Sequence, residues 1–185
     1  MANPTAQGGF TAVGNITGGP GRIERYSAPA SYATAIGRGD LTLITGAVST
    51  PTDFGGGKGL AVVNQAAASD VPNGATITHR AASILASVFV ETDPNTLYEA
   101  RVNGGANAIA VADSQLNADW VTGVMNADTG LSLYMIDGTT EATTNTLGLK
   151  LLRPIPYAGD DDTLAQPRWL VRLNRHRYVD QIAGV

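Results

Sequence analysis

Apolar residues of this chain alternate with polar residues over short stretches, which are separated by glycine, proline, asparagine or aspartate. Alternation with a period of two is typical of half-buried β-strands, and those four residue types are typical of turns. Alternation predicts strands over residues 41–45, 97–102, 147–151 and 169–173, and short runs next to turn residues predict strands over residues 60–63, 84–90 and 131–136. We therefore expect an all-β fold, a β-barrel or sandwich of short antiparallel strands.

Turns are predicted at three places between these strands: at Asp93 and Pro94, at residues 103–105, and at Asp137 and Gly138. A short helical turn is the alternative for residues 31–36 and 114–120, although neither stretch keeps a period of 3.6 residues. No internal repeat divides the chain, so we expect a single β-rich domain over residues 26–185, preceded by an extended arm over residues 1–25.

The predicted arm is rich in glycine and proline and has few large apolar side chains. This composition is typical either of a disordered terminus or of a segment that orders only when it lies on a neighbouring molecule. Phe10, Val13 and Ile16 are the arm residues that a partner would contact. Both interpretations stay open from the sequence.

Charge and composition narrow the classes of function. The 185 residues include no cysteine, which excludes disulfide frameworks and thiolate zinc sites. Only 15% of the residues are charged and the formal net charge is −4, which argues against nucleic acid as a partner. No run of about 18 apolar residues predicts a membrane span, and the first residues do not read as a secretory signal. We expect a chain that is made and used in solution.

The basic residues gather near the C-terminal end. In the last predicted strand, Trp169, Val171 and Leu173 fall on one face, which predicts core positions, while the opposite face becomes cationic with Arg172 and His176. Arginine and aromatic residues carry much of the contact energy at protein interfaces. The side chains predicted to contact a partner here are Arg168, Arg172, Arg175, Arg177 and Tyr178. An ordinary solvated face is the alternative, and nucleic acid is a weaker third.

Other short motifs are explained by ordinary local structure and not by a function. The triplet at residues 38–40 matches an integrin-binding tripeptide, but it leads directly into a predicted strand and is expected to be a turn. The glycine-rich stretch 55–59 lacks the Ser or Thr and the helix of a phosphate loop. The acidic stretch 160–162 is expected to be a solvated loop, with a weak cation site or a basic neighbour as alternatives. His79 and His176 have no metal-ligand companions at helical spacing.

No pattern predicts chemistry at a reactive centre. The sequence contains no Gly-x-Ser-x-Gly elbow and no local Cys/His arrangement. We expect no catalytic residue, no cofactor and no metal site.

The order of several segments resembles a known family. A glycine- and proline-rich opening ends near Tyr26, and it is followed by residues 39–41, 88–100, 147–154 and 169–176. Taken in succession, these segments resemble the head decoration (cement) proteins of tailed bacteriophages, a group of virion structural proteins. Residues 46–80 and the acidic stretch at residue 160 have no counterpart in the resemblance.

The resemblance implies a role. Such a protein would be made in the host cytoplasm and would bind the outer surface of the virion capsid, where it holds neighbouring capsomers of the major capsid protein together without enzymatic activity. It would act as a homo-oligomer, with a trimer favoured over a dimer. A β-sandwich module for carbohydrate binding or adhesion, on a virion or a secreted complex, is the alternative, and a small enzyme is the third.

Overall fold

The computed structural model describes residues 8–28, 30–47, 58–62, 71–104, 109–156 and 165–179; side chains are described for all of these except 44–47 and 58–62. In these ranges the chain forms twelve strands and one turn of 3-10 helix at Val111–Asp113. The strands are β1 (Thr11–Asn15), β2 (Ile23–Ala28), β3 (Leu41–Ala47), β4 (Lys58–Val62), β5 (Gly74–Thr76), β6 (Ala86–Glu91), β7 (Thr96–Asn103), β8 (Asn117–Ala118), β9 (Trp120–Val121), β10 (Met135–Asp137), β11 (Leu149–Pro154) and β12 (Arg168–Leu173). The all-β class predicted from the sequence is confirmed.

Five strands close into a small barrel in the order β2-β4-β3-β5-β6. β2 and β6 pair antiparallel along their whole length, whereas β2 and β4 pair in parallel. Alternation along β2 and β6 turns Tyr26, Ala28, Val88 and Val90 into the barrel, where they pack with Ile36. Closure leaves these strands without a free edge.

The other strands form a seven-stranded sheet, in which six strands follow the order β8-β11-β12-β7-β10-β9 and the seventh, β1, pairs with β7. β1 pairs antiparallel with β7 over residues 96–99, and β10 pairs in parallel with β7 at residues 102 and 103. One face of this sheet is a core of large side chains, and Leu41 and Ala75 from the barrel belong to the same cluster. A shared hydrophobic core therefore joins the two sheets. Its largest members are Trp120, Trp169, Tyr98, Tyr134 and Phe10.

Most local predictions agree with the structure. The Asp93 turn forms, since its backbone carbonyl accepts the Thr96 N–H at 3.1 Å and its carboxylate accepts the Asn95 N–H at 2.8 Å. The Asp137 carboxylate likewise accepts the Thr139 N–H at 3.0 Å. At the third predicted turn, residue 105 lies outside the described residues.

Two local predictions were wrong. The run 131–136 is a strand only from Met135, because the Ser132 hydroxyl accepts the Tyr134 N–H at 3.0 Å and Leu131 makes only a single bridge, with Arg38. The alternative of helical turns at 31–36 and 114–120 also fails. Residues 117 and 118 form β8, which pairs with β11.

The described part of the predicted arm is built into the chain's own fold. β1 pairs with β7, Phe10 donates its N–H to Gly39 O at 2.9 Å, and the Phe10 side chain is 1% exposed. The expectation of an arm that is either disordered or ordered only on a neighbour is thus wrong for residues 8–25, because an unpaired stretch of β7 and a core position are available within the molecule. The predicted boundary at residue 25 falls inside β2. Residues 1–7 lie outside the description.

Candidate partner-binding surface

The outer face of the large sheet carries basic side chains on three adjacent strands. On β12, the burial of Trp169 and Val171 turns Arg168 and Arg172 to the other face, because successive residues of a strand point in opposite directions. β7 follows the same rule on one side of β12. On the other side, an irregularity between Leu151 and Arg153 of β11 places Lys150 opposite Arg172 and Arg153 opposite Leu170, so that both basic residues lie on this face. We call the following set the basic face: Arg101, Lys150, Arg153, Arg168 and Arg172, together with the carboxylate of Glu99.

The strand register places like charges directly opposite each other twice. Arg168 is opposite Arg101 across β12 and β7, and Arg172 is opposite Lys150 across β12 and β11. Glu99 lies two residues before Arg101 on β7, opposite the apolar Leu170 of β12. Like charges directly opposite each other destabilise a strand pair, so this sheet carries an electrostatic cost on its outer face.

The carboxylate of Glu99 lies beside the first pair. Arg168 Nη1 lies 2.5 Å from Glu99 Oε1, and the side chains of these residues are 29% and 14% exposed. Arg101 is 5% exposed and donates from Nη1 to the backbone carbonyl of Gln166 at 2.8 Å. The Glu99 carboxylate therefore forms an ion pair with Arg168, next to the buried Arg101 guanidinium.

The second pair is partly buried. Lys150 donates from Nζ to Gln115 O at 2.7 Å. Loss of hydration lowers the pKa of Lys150, and the neighbouring Arg172 charge lowers this pKa further. Loss of hydration also lowers the pKa of Arg172, whose Nε is buried with no hydrogen-bond partner among the described residues. Both cations are held in surroundings that disfavour positive charge.

A cleft of about 200 Å³ opens beside the first pair. Its walls include the side chains of Thr11, Glu99, Arg101 and Arg168 and the backbone of Gly8 and Gly9. Gly9 has a φ of +64°, and a Cβ there would overlap both Ser132 and the Gly39 carbonyl. Glycine at this position therefore allows the N-terminal segment to run along one wall of the cleft.

The three arm residues that were predicted to contact a partner differ in exposure. Val13 and Ile16 are 48% and 53% exposed on and just after β1, so they are accessible to a partner. Phe10 belongs to the core cluster, and its prediction as a partner-contact residue is wrong. Its apolar character predicted burial equally well, and only the tertiary structure decides where that burial occurs.

The cationic face that was predicted for the last strand does not continue beyond β12, which ends at Leu173. Asn174 and His176 are 1% and 2% exposed, so the interpretation of His176 as a surface residue was wrong. The N–H groups of Asn174 and Arg175 both donate to Gly148 O, at 2.8 and 3.2 Å, and this shared acceptor breaks the alternation of the strand. Burial lowers the pKa of His176 to about 4, and its Nδ1 accepts the Tyr178 N–H at 3.2 Å.

The last predicted contact residues lie against the barrel instead of on the basic face. Arg177 donates its N–H to Pro72 O at 3.0 Å, and the exposed Tyr178 ring lies 5.8 Å from the Arg22 guanidinium carbon. Arg175 is half-buried, and its N–H donates to Gly148 O beside the start of β11. The five predicted C-terminal residues thus divide into three groups, with Arg168 and Arg172 on the large sheet, Arg175 just beyond the end of β12, and Arg177 and Tyr178 near the barrel.

The sequence interpretation missed four members of the basic face: Glu99, Arg101, Lys150 and Arg153. A signal was present for the first three, because each alternates with apolar residues in a stretch that was predicted to be a strand. What was missing was the pairing of those strands, which brings Arg101 beside Arg168 across 67 positions of sequence (168 − 101 = 67).

A second cavity, of about 210 Å³, lies beside Asp40. Asp40 is 2% exposed; its Oδ2 accepts the Gly37 N–H at 2.7 Å, and its Oδ1 has no hydrogen-bond partner in the described chain. Burial raises the pKa of Asp40 to about 6, against the opposing influence of Ser132 and the Gly37 N–H. The triplet 38–40 is a turn as predicted, with Gly39 at a φ of +95°, and burial of its carboxylate removes it from the surface that an adhesion receptor would read.

Three further findings concern sites that were weighed from the sequence. Among the described residues, no group of three or more His, Asp or Glu side chains is arranged to hold a metal ion. The acidic stretch 160–162 and residues 55–57 of the glycine-rich stretch lie outside the description. Within the described ranges, no helix has the length and hydrophobicity to cross a membrane.

Comparisons with protein-family models, with curated proteins and with solved structures found no match for this chain.

Proposed function

We propose that this chain is a non-enzymatic decoration protein of a bacteriophage capsid. It binds the outer surface of the shell formed by the major capsid protein and bridges neighbouring capsomers. The observation that carries the proposal is the basic face, where five cations and one carboxylate lie on three adjacent strands of a chain of net charge −4. Arg153 is exposed and Arg168 and Arg172 are partly exposed, so these three are accessible to a partner. The succession of segments that resembles the cement proteins supplies the identity of the partner.

Two kinds of contact are available on the large sheet. The basic face orients an acidic partner, because charge complementarity mainly contributes specificity and association rate. The exposed Val13 and Ile16, on and next to β1, add apolar area at the edge of the same sheet. An interface of ordinary size buries about 1,600 Å² in total, and repetition over a shell strengthens modest contacts through multivalency. An oligomer, with a trimer favoured, would multiply the effect.

The alternative of carbohydrate binding is less well supported. Such a module would need exposed aromatic rings along a groove, and tryptophan offers a large apolar ring face together with an N–H donor. The chain has two tryptophans, Trp120 and Trp169, and they are 2% and 0% exposed. Both belong to the hydrophobic core, which favours the capsid proposal over the glycan-binding one.

Removal from particles and re-addition would test the proposal. Particles that lack the protein should lose tolerance to heat or osmotic shock, and purified protein added back should bind them and restore that tolerance. Particles whose tolerance is the same with and without the protein would contradict the bridging role. Binding to a glycan array, with none to particles, would favour the alternative.

A further inference from the structure

We infer that the cavity beside Asp40 is a binding site for an alkylammonium group, such as the end of a lysine side chain. This inference goes beyond the proposed function and does not depend on it. The cavity has a volume of about 210 Å³, and the residues that line it are different from those of the basic face.

The cavity leads from an exposed rim to a buried wall. Thr34, Thr122 and Val124 line it and are exposed, and Val124 reaches 79% exposure. Asp40 and Tyr134 also line it, and each is only 2% exposed, so these two residues form its inner wall. A cavity of this size that opens at the surface accommodates a short alkyl chain with one polar end and excludes large ligands.

The inner wall contains a carboxylate oxygen with unused hydrogen-bonding capacity. Asp40 Oδ2 accepts the Gly37 N–H at 2.7 Å, whereas the buried Oδ1 has no hydrogen-bond partner among the described residues. Burial raises the pKa of Asp40, and the two influences that lower this pKa are hydrogen bonds from Ser132 and the Gly37 N–H, neither of which is a cation. A ligand that brings both a positive charge and a hydrogen-bond donor therefore offsets the cost of burying this carboxylate.

An ammonium group suits this carboxylate better than other cations do. A guanidinium group pairs best with both oxygens of a carboxylate, and Oδ2 of Asp40 already accepts the Gly37 N–H. An ammonium group is compact and needs only one oxygen to form a charge-assisted hydrogen bond. Metal ions such as calcium need several oxygen ligands, and no group of three His, Asp or Glu side chains in the described chain is arranged to hold one.

The other walls suit the alkyl part of the ligand. Ala35, Val124 and the ring of Tyr134 provide apolar surface, against which the methylene groups of a lysine-like chain pack while the charged end lies elsewhere. Burial raises the pKa of Tyr134, and the nearby Asp40 carboxylate raises this pKa further, so the ring and the carboxylate are neighbours in the inner wall. An aromatic ring beside the carboxylate adds a second group that attracts cations.

The first experiment titrates n-butylammonium into the full-length protein and follows the Asp40 carboxyl carbon and the backbone amides of Ala35 and Gly123 by NMR. These signals should shift with a Kd on the order of 1 mM, while the amides of β12, which does not line the cavity, stay unchanged. The matched ligand n-butanol, which has the same chain without the charge, should bind at least about tenfold more weakly. Equal shifts with the two ligands, or no shift with the amine, would overturn the inference.

Charge variants then separate the cavity from general attraction to an acidic chain. Asp40→Asn keeps the size of the side chain and should weaken amine binding about tenfold or more, because a charge-assisted hydrogen bond is lost. Asp128→Asn makes the same charge change at an exposed position on the loop that follows Val124, and it should have no effect. An equal loss in the two variants would contradict a defined site. Thermal unfolding checks that each variant is folded, and the Asp40 carbon signal of the wild-type protein tests the inference without any variant.

A peptide comparison identifies the source of the ammonium group. The ligands are two short glycine peptides with blocked ends, one with a central lysine and the other with a central norleucine, which has no charge. Binding of the lysine peptide alone would support a lysine side chain of a protein partner as the ligand. Binding of n-butylammonium without binding of the lysine peptide would support a free small amine. Equal binding of the lysine and norleucine peptides would overturn the inference.

Discussion

Asp40 and Gly37 are joined by a hydrogen bond of 2.7 Å from the Gly37 N–H to Oδ2 of the buried carboxylate, while Oδ1 has no partner in the described residues. The turn is thereby fixed at the start of β3, but a carboxyl group is held in surroundings that favour its neutral form. Burial is the main reason that the pKa of Asp40 is raised to about 6. Asp40 therefore fixes a turn of the fold, and its buried carboxylate lowers the stability of the folded chain at neutral pH.

Replacing Asp40 by asparagine should raise stability at neutral and alkaline pH. A pKa raised from 3.8 to about 6 means that the folded chain holds the proton more tightly, so the cost grows as pH rises from about 4 to 6 and is complete above that. Asp40→Asn should be more stable by about 2–3 kcal/mol at pH near 8. Urea unfolding measured across the pH range checks this, and a difference that stays constant down to pH of about 3.5 would refute the titration argument.

His176 should change stability with pH in the opposite direction to Asp40, over an overlapping pH range. Its pKa is lowered from 6.5 to about 4 by burial, so the unfolded chain binds the proton more tightly and stability is lost as pH falls from about 6.5 to 4. In His176→Gln this loss should disappear, which leaves the Asp40 effect and a relative gain in stability toward low pH. Wild-type and variant unfolding free energies at several pH values provide the measurement. Parallel pH profiles would rule out a buried neutral histidine.

Gly9 and Gly8 offer a matched pair of substitutions. Gly9→Ala forces a side chain into a left-handed backbone and against Ser132 and Gly39, so it should destabilise the fold by about 2 kcal/mol or more. A Cβ at Gly8 would meet nothing within 4 Å, so Gly8→Ala should change stability by about 0.5 kcal/mol or less. Thermal unfolding of the two variants gives the comparison, and equal melting temperatures would show that the N-terminal segment is not packed as described.

The apolar residues around β1 should separate folding from binding. Phe10→Ala removes a buried ring and should cost about 3–5 kcal/mol of stability. Val13→Ser and Ile16→Ser replace exposed side chains and should leave stability within about 0.5 kcal/mol while weakening attachment to particles. Chemical unfolding and a particle-binding assay on the same samples make the comparison. Loss of stability in the two serine variants, with binding intact, would place these residues in the fold and not at an interface.

Two strands show how much of the fold could be predicted from the sequence. Alternation in residues 97–102 and 169–173 correctly predicts two strands and, for the second, which face is buried. It does not predict that β12 lies between β7 and β11, since pairing depends on contacts distant in sequence. The charge pairs of the basic face follow from that pairing alone. The burial of His176 was missed for a local reason, because Gly148 O accepts two successive N–H groups and ends the alternation.

The central claim is that this protein acts by attaching to a capsid and not by turning over a substrate. A quantitative protein inventory of purified particles, made with wild-type protein and with the Arg168→Gln variant, tests it most directly. The account predicts many copies of the wild-type chain in a fixed ratio to the major capsid protein and a clearly reduced ratio for the variant. Particles that contain none of the wild-type chain would contradict it.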